Sequence, residues 1–78
     1  MGAMQSVRLP DDIDNWTVVP PDAVDEEVVA FHNKREPKPI QYRMRDLNGV
    51  IDIYVQARPD WWYHWRKCPG EGQFHLCG

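Results

Sequence analysis

Between Ile40 and Ala57 the chain alternates apolar and polar residues in two runs, and the runs meet at Asn48-Gly49. That dipeptide tolerates positive φ at both positions and suits a two-residue type I′ turn, so the pattern predicts a hairpin of strands 40–47 and 50–57. The turn also sets the register: Leu47 opposes Val50, Arg45 faces Asp52, Met44 faces Ile53, Arg43 faces Tyr54 and Tyr42 faces Val55. One face then collects Ile40, Tyr42, Met44, Ile51, Ile53, Val55 and Ala57, and belongs to a core. The other collects Gln41, Arg43, Arg45, Asp52, Tyr54 and Gln56, and is expected to face water. A slip of one residue would exchange the two sets, so the register is strongly specified.

After Arg58-Pro59-Asp60, the run Trp61-Trp62-Tyr63-His64-Trp65-Arg66 favours a pleated surface and reads as a third strand over 61–66. Its odd positions Trp61, Tyr63 and Trp65 are expected to finish the core. Pro69-Gly70-Glu71-Gly72 has turn chemistry, after which 73–77 returns as a fourth strand. Upstream, Trp16–Val19 fits a short strand stopped by Pro20-Pro21. Asp22 is placed to cap a helix over about 23–34, with Asp25, Glu26 and Glu27 at its positive end and Lys34 and Arg35 at its negative end. Val24, Val28 and Phe31 give that helix one apolar stripe, and Pro37 and Pro39 prevent its continuation. His32, near the helix end, is expected to be solvated. The fold class is α+β: an antiparallel meander of three to four strands with one N-terminal helix packed on one face.

Seventy-eight residues correspond to a single domain. Residues 1–3 read as a cloning remnant, 4–14 as an extended polar arm and 15–78 as the folded domain. The charge is uneven: residues 1–39 carry eight acids and four bases, residues 40–78 four acids and five bases, for a net charge of −3. No cluster of Lys and Arg forms a footprint for duplex DNA. No apolar run approaches the ~18 residues of a membrane-spanning helix. No basic segment leading into an apolar stretch and a cleavage site is visible, so a cytoplasmic setting is the default expectation. Asn15-Trp16-Thr17 matches a glycosylation triplet, a pattern frequent by chance.

Two constellations carry candidate chemistry. Trp62, Tyr54, Arg43, Arg45 and Arg66 share a sheet face if the third strand pairs with the second, and Trp, Tyr and Arg are enriched at binding hot spots. This patch points to a small non-enzymatic interaction module that binds a larger protein as an inhibitor or recruiter. The alternative is a single-stranded RNA- or DNA-binding domain stacking bases on Trp62 and Tyr54. The run Trp61–Trp65, following a basic hairpin, is faintly similar to the aromatic strand of coronavirus-type nucleocapsid RNA-binding domains over about a third of the chain. Lys67-Cys68-Pro69-Gly70 stands where that family has Gly-Thr-Gly-Pro. The resemblance implies RNA binding.

His64, Cys68, His75 and Cys77 form the second constellation, a donor set suited to tetrahedral zinc, which would make the chain a zinc-stapled structural domain. A Cys68–Cys77 disulfide and two reduced thiols are the other readings, the latter favoured in the cytosol. No cofactor other than zinc is implied. Catalysis is not expected: phosphate-cradling Gly loops are missing, the acids have capping roles, and Cys68 lacks a positioned base.

Overall fold

The computed structural model describes residues 6–35 and 38–78. The expected cloning remnant at 1–3, the first two residues of the arm and the helix-stopping Pro37 lie outside the described residues. Among the described residues, five strands, β1 (Thr17–Val19), β2 (Gln41–Leu47), β3 (Val50–Arg58), β4 (Trp61–Lys67) and β5 (His75–Leu76), form one antiparallel sheet in chain order. The one α-helix among the described residues, α1 (Glu26–Asn33), lies between β1 and β2 in sequence. The architecture is therefore the α+β meander read from the sequence. It has one strand more than the expected three to four, because Thr17–Val19 adds to the free edge of β2 and residues 75 and 76 add to β4.

The hairpin follows from its corner. Asn48 (φ 55°) and Gly49 (φ 83°) both adopt positive φ, and the Asp46 carboxylate accepts the Gly49 amide at 3.1 Å. Every strand pair expected across β2 and β3 is present, from Tyr42 opposite Val55 to Leu47 opposite Val50. From β3 the ladder continues into β4, with Asp52 opposite Arg66, Tyr54 opposite His64 and Gln56 opposite Trp62. An irregularity between Gln56 and Arg58 then lets Arg58 pair with Trp61.

α1 starts later than the sequence suggests. Pro20 and Pro21 lead into a 3₁₀ turn over Pro21–Ala23, which places Asp22 inside that turn, and Val24 is extended (φ −106°, ψ 149°). The cap falls to Asp25, whose carboxylate accepts the Glu27 amide at 2.8 Å. At the other end Arg35 donates to the Phe31 carbonyl at 2.8 Å and lays its guanidinium over the Phe31 ring at 3.5 Å, closing the negative end of the helix with a cation.

Between α1 and the sheet lies the main core, built from Val24, Val28, Tyr42, Ile53, Val55, Trp65 and Phe74, with Phe31, Met44, Ile51 and Tyr63 at its margin. Three expectations are corrected here. Ile40 is 55 % exposed, lying just before β2 begins at Gln41 and outside the core cluster. Trp61 is half-buried outside this cluster, next to the β3–β4 irregularity. His32 is not solvated but 2 % exposed, with Trp65 Nε1–H donating to its Nε2 at 2.9 Å. That bond requires an unprotonated Nε2, and burial followed by the positive charge of Arg35 lowers the His32 pKa to about 4. Phe31, Tyr42, Tyr63 and Trp65 meet the imidazole edge to face, so the ring is packed as an aromatic core residue.

Candidate functional site

Strand alternation puts Arg43, Arg45, Asp52, Tyr54, Trp62, His64 and Arg66 on the sheet face opposite α1, as the sequence predicts. The registers arrange them in rows: Arg43, Tyr54 and His64 in one, Arg45, Asp52 and Arg66 in the next. Asp52 is the hub, a carboxylate only 2 % exposed. Its Oδ1 accepts from Arg66 Nε and from His64 Nε2, both at 2.7 Å. An ionised carboxylate can only accept, so His64 carries its proton on Nε2. Burial pushes the Asp52 pKa up, but the hydrogen bonds and charges of Arg66 and His64 outweigh it and hold the carboxyl below its ordinary value. The His64 ring is in turn stacked on Tyr54, with centroids 4.3 Å apart and planes 3° from parallel.

The expectation that this face is open to water is overturned. Residues of the amino-terminal arm cross it and build a second, smaller core from Ile13, Trp16 and Tyr54, with Val7, Leu9 and Trp62 packed alongside. Trp16 meets Tyr54 edge to face at 5.2 Å, leaving Tyr54 7 % exposed. Arg43 donates to the Ile13 carbonyl at 3.1 Å, and the Trp62 amide donates to the Ser6 hydroxyl at 2.7 Å. The physical reason is the size of the rings. Leaving Tyr54, Trp62 and Trp16 wet in a chain this short would forfeit several kcal/mol, at about 25 cal/mol per Å² of apolar surface, and the arm supplies the cover. Leu9, Ile13 and Trp16 are the signal in the sequence that could have revealed it: three large apolar residues in an otherwise polar, acidic stretch.

Of the five residues of the expected patch, Tyr54 is thus buried, Arg43 is tied to the arm, and Trp62 is half-buried at the Ser6 end of the face. Arg45 and Arg66 remain accessible at the other end. With Leu47, Asn48, Val50 and Asp52 they border a hollow of about 300 Å³. Leu47 is 53 % exposed there. Arg45 lies over the Trp16 ring at 4.3 Å, and Trp16 is itself anchored by donating from Nε1 to Asp12 at 3.1 Å. Asp12 and Asp52 each lie 3.9 Å from Arg45, close enough for charge attraction but beyond hydrogen-bond length. Leu47, Asn48, Val50, Asp52 and Trp16 are the members of this site that the sequence reading did not select.

The four zinc candidates are not gathered. His64 is committed to Asp52, and His75 pairs with Glu71 at 2.8 Å on the exterior. Cys77 lies beside His64, whose carbonyl accepts its amide at 2.7 Å, while Cys68 is four residues further along the chain from His64. At strand rise that is about 13 Å, well beyond the separation a disulfide spans. Both cysteines are free thiols. Among the described residues, no group of three or more His, Cys, Asp or Glu is arranged to hold a metal ion. Burial raises the Cys77 pKa despite the nearby Arg66 charge, so its thiol form is favoured.

Among the described residues, no helix is long and apolar enough to cross a membrane. No family model, curated protein or solved structure matches the chain. The likeness of Trp61–Trp65 to nucleocapsid-type domains therefore rests on those residues alone.

Proposed function

We propose that this protein works by binding a larger protein partner, as an inhibitor or recruiter, rather than by catalysis. The contact surface is the open end of the arm-covered face, where Arg45 and Arg66 flank Leu47 and Val50. One observation carries the reading: an exposed leucine and two arginines border a hollow on an otherwise covered face, the combination of apolar centre and Arg that marks interface anchors. The acidic residues of the amino-terminal half, Asp22, Asp25, Glu26 and Glu27 among them, supply a surface of opposite sign that orients approach to a partner.

The single-strand nucleic-acid reading is weaker on this surface. Base stacking needs an open ring face, whereas Tyr54 is used by Trp16 and His64, and Trp62 is half-buried against the cluster of Ile13, Trp16 and Tyr54. Capture from the native cell with wild-type protein and with the double variant Arg45→Glu/Arg66→Glu tests the proposal. A protein retained by the first and lost by the second, with the variant folded by circular dichroism, is the expected result. Equal retention refutes it. A rise in Trp fluorescence anisotropy with a short oligonucleotide at low salt would favour the nucleic-acid reading instead.

A further inference from the structure

We infer that the hollow between Arg45 and Arg66 recognises a carboxylate side chain, a glutamate or aspartate of the partner, while an apolar neighbour of that residue rests on Leu47 and Val50. The inference rests on the interaction reading above and specifies what the surface selects.

Each guanidinium is held in place without spending the nitrogens a ligand needs. Arg45 is positioned by the Trp16 ring at 4.3 Å, and Arg66 by its Nε bond to Asp52 at 2.7 Å. Among the described residues, no hydrogen bond engages any donor of Arg45 or the terminal nitrogens of Arg66, and the Arg45 Nε is buried with no partner. A planar carboxylate matches the fork of donors on a guanidinium, and a fork already fixed by stacking loses less side-chain freedom on binding. The two cations outnumber the one internal carboxylate. Asp52 has already placed its Oδ1 on Arg66 and His64, and its Oδ2 lies 3.9 Å from Arg45, beyond hydrogen-bond length, so it competes weakly. Asp12 is the remaining competitor, an exposed carboxylate loosely paired with Arg45 at 3.9 Å. The apolar floor of Leu47 and Val50 disfavours a fully hydrated anion such as free phosphate and favours a charged group attached to an apolar chain.

The test is a titration of isotope-labelled full-length protein with acetyl-Gly-Glu-Leu-Gly-amide and with its Gln counterpart, followed through the Nε–H signals of Arg45 and Arg66 and the backbone amides of Leu47 and Val50. The Glu peptide is expected to move these signals saturably and to bind at least about tenfold tighter than the Gln peptide, the usual worth of a charge-assisted hydrogen bond. Arg45→Lys, which keeps the charge and loses the fork, should weaken the Glu peptide, and Asp12→Asn should tighten it. Equal response to both peptides, shifts confined to other surfaces, or stronger displacement of the same signals by a short oligothymidylate would each overturn the assignment. The two levels of the proposal fail separately. A captured protein that depends on Arg45 and Arg66 but is not displaced by the Glu peptide removes the carboxylate and leaves the interaction surface. Capture that does not depend on them removes both.

Discussion

Protonating His32 should unfasten the main core. The neutral ring accepts from Trp65 Nε1 and is 2 % exposed, so a proton added at Nε2 abolishes that bond and buries a charge beside Arg35. Its pKa is about 4 in the folded chain and 6.5 when unfolded. The unfolded state therefore binds more protons between these values, and stability is complete above about pH 6.5 and falls as pH drops towards 4. The gap of 2.5 pH units, at 1.36 kcal/mol each, gives a loss of about 3 kcal/mol, of which about 2 kcal/mol is gone by pH 5. Against a total of roughly 4–12 kcal/mol for a chain of this length, that is a large share. Urea unfolding followed by Trp fluorescence at half-unit steps from pH 4 to 8 measures it. The diagnostic quantity is the difference between wild type and His32→Gln, which cancels contributions from the rest of the chain. That difference should shrink by about 3 kcal/mol from pH 7.5 to pH 4, and a pH-independent difference would refute the reasoning.

Trp16→Ala should cost about 3–4 kcal/mol in chemical denaturation and speed amide exchange at Val7, whose amide donates to the Trp62 carbonyl; an unchanged exchange rate would mean the arm is held without Trp16. Asp52→Ala removes the acceptor of both His64 and Arg66, and because Arg66 is partly exposed and can rehydrate, the expected cost is about 2 kcal/mol by urea titration. Since the Asp52 pKa is depressed, the wild-type advantage over that variant should persist at neutral pH and fade only as pH drops below about 4, the ordinary carboxylate value. Gly49→Ala imposes a side chain at φ 83° and brings its Cβ to 3.1 Å from Pro69 Cγ, for an expected loss of about 1–2 kcal/mol in thermal or urea unfolding.

The path from sequence to site divides at Asp52. Its place opposite Arg45 was legible, because a two-residue turn leaves no freedom in the pairing that follows it. Its role as a buried hub was not. That role needs β4 to deliver His64 and Arg66 to the same face and needs the arm to exclude water from the neighbouring rings. The separation of the four zinc candidates was hidden from the sequence for a related reason. The β4–β5 register sets His75 opposite Arg66, and each His finds a carboxylate, Asp52 or Glu71, that spacing along the chain does not announce.

Local rules acting over a few residues settled the hairpin, its register, the order of helix and strands, and the division of side chains between two sheet faces. They did so because turn dihedrals and strand alternation are short-range constraints. Only the tertiary structure decided which of those faces stays open. Ser6 reaches Trp62 across 56 positions, and Trp16 reaches Tyr54 and Arg45 by packing rather than by pattern. Burial of rings by a distant segment is decided by how much apolar surface the whole chain can cover, a quantity that no window of sequence contains.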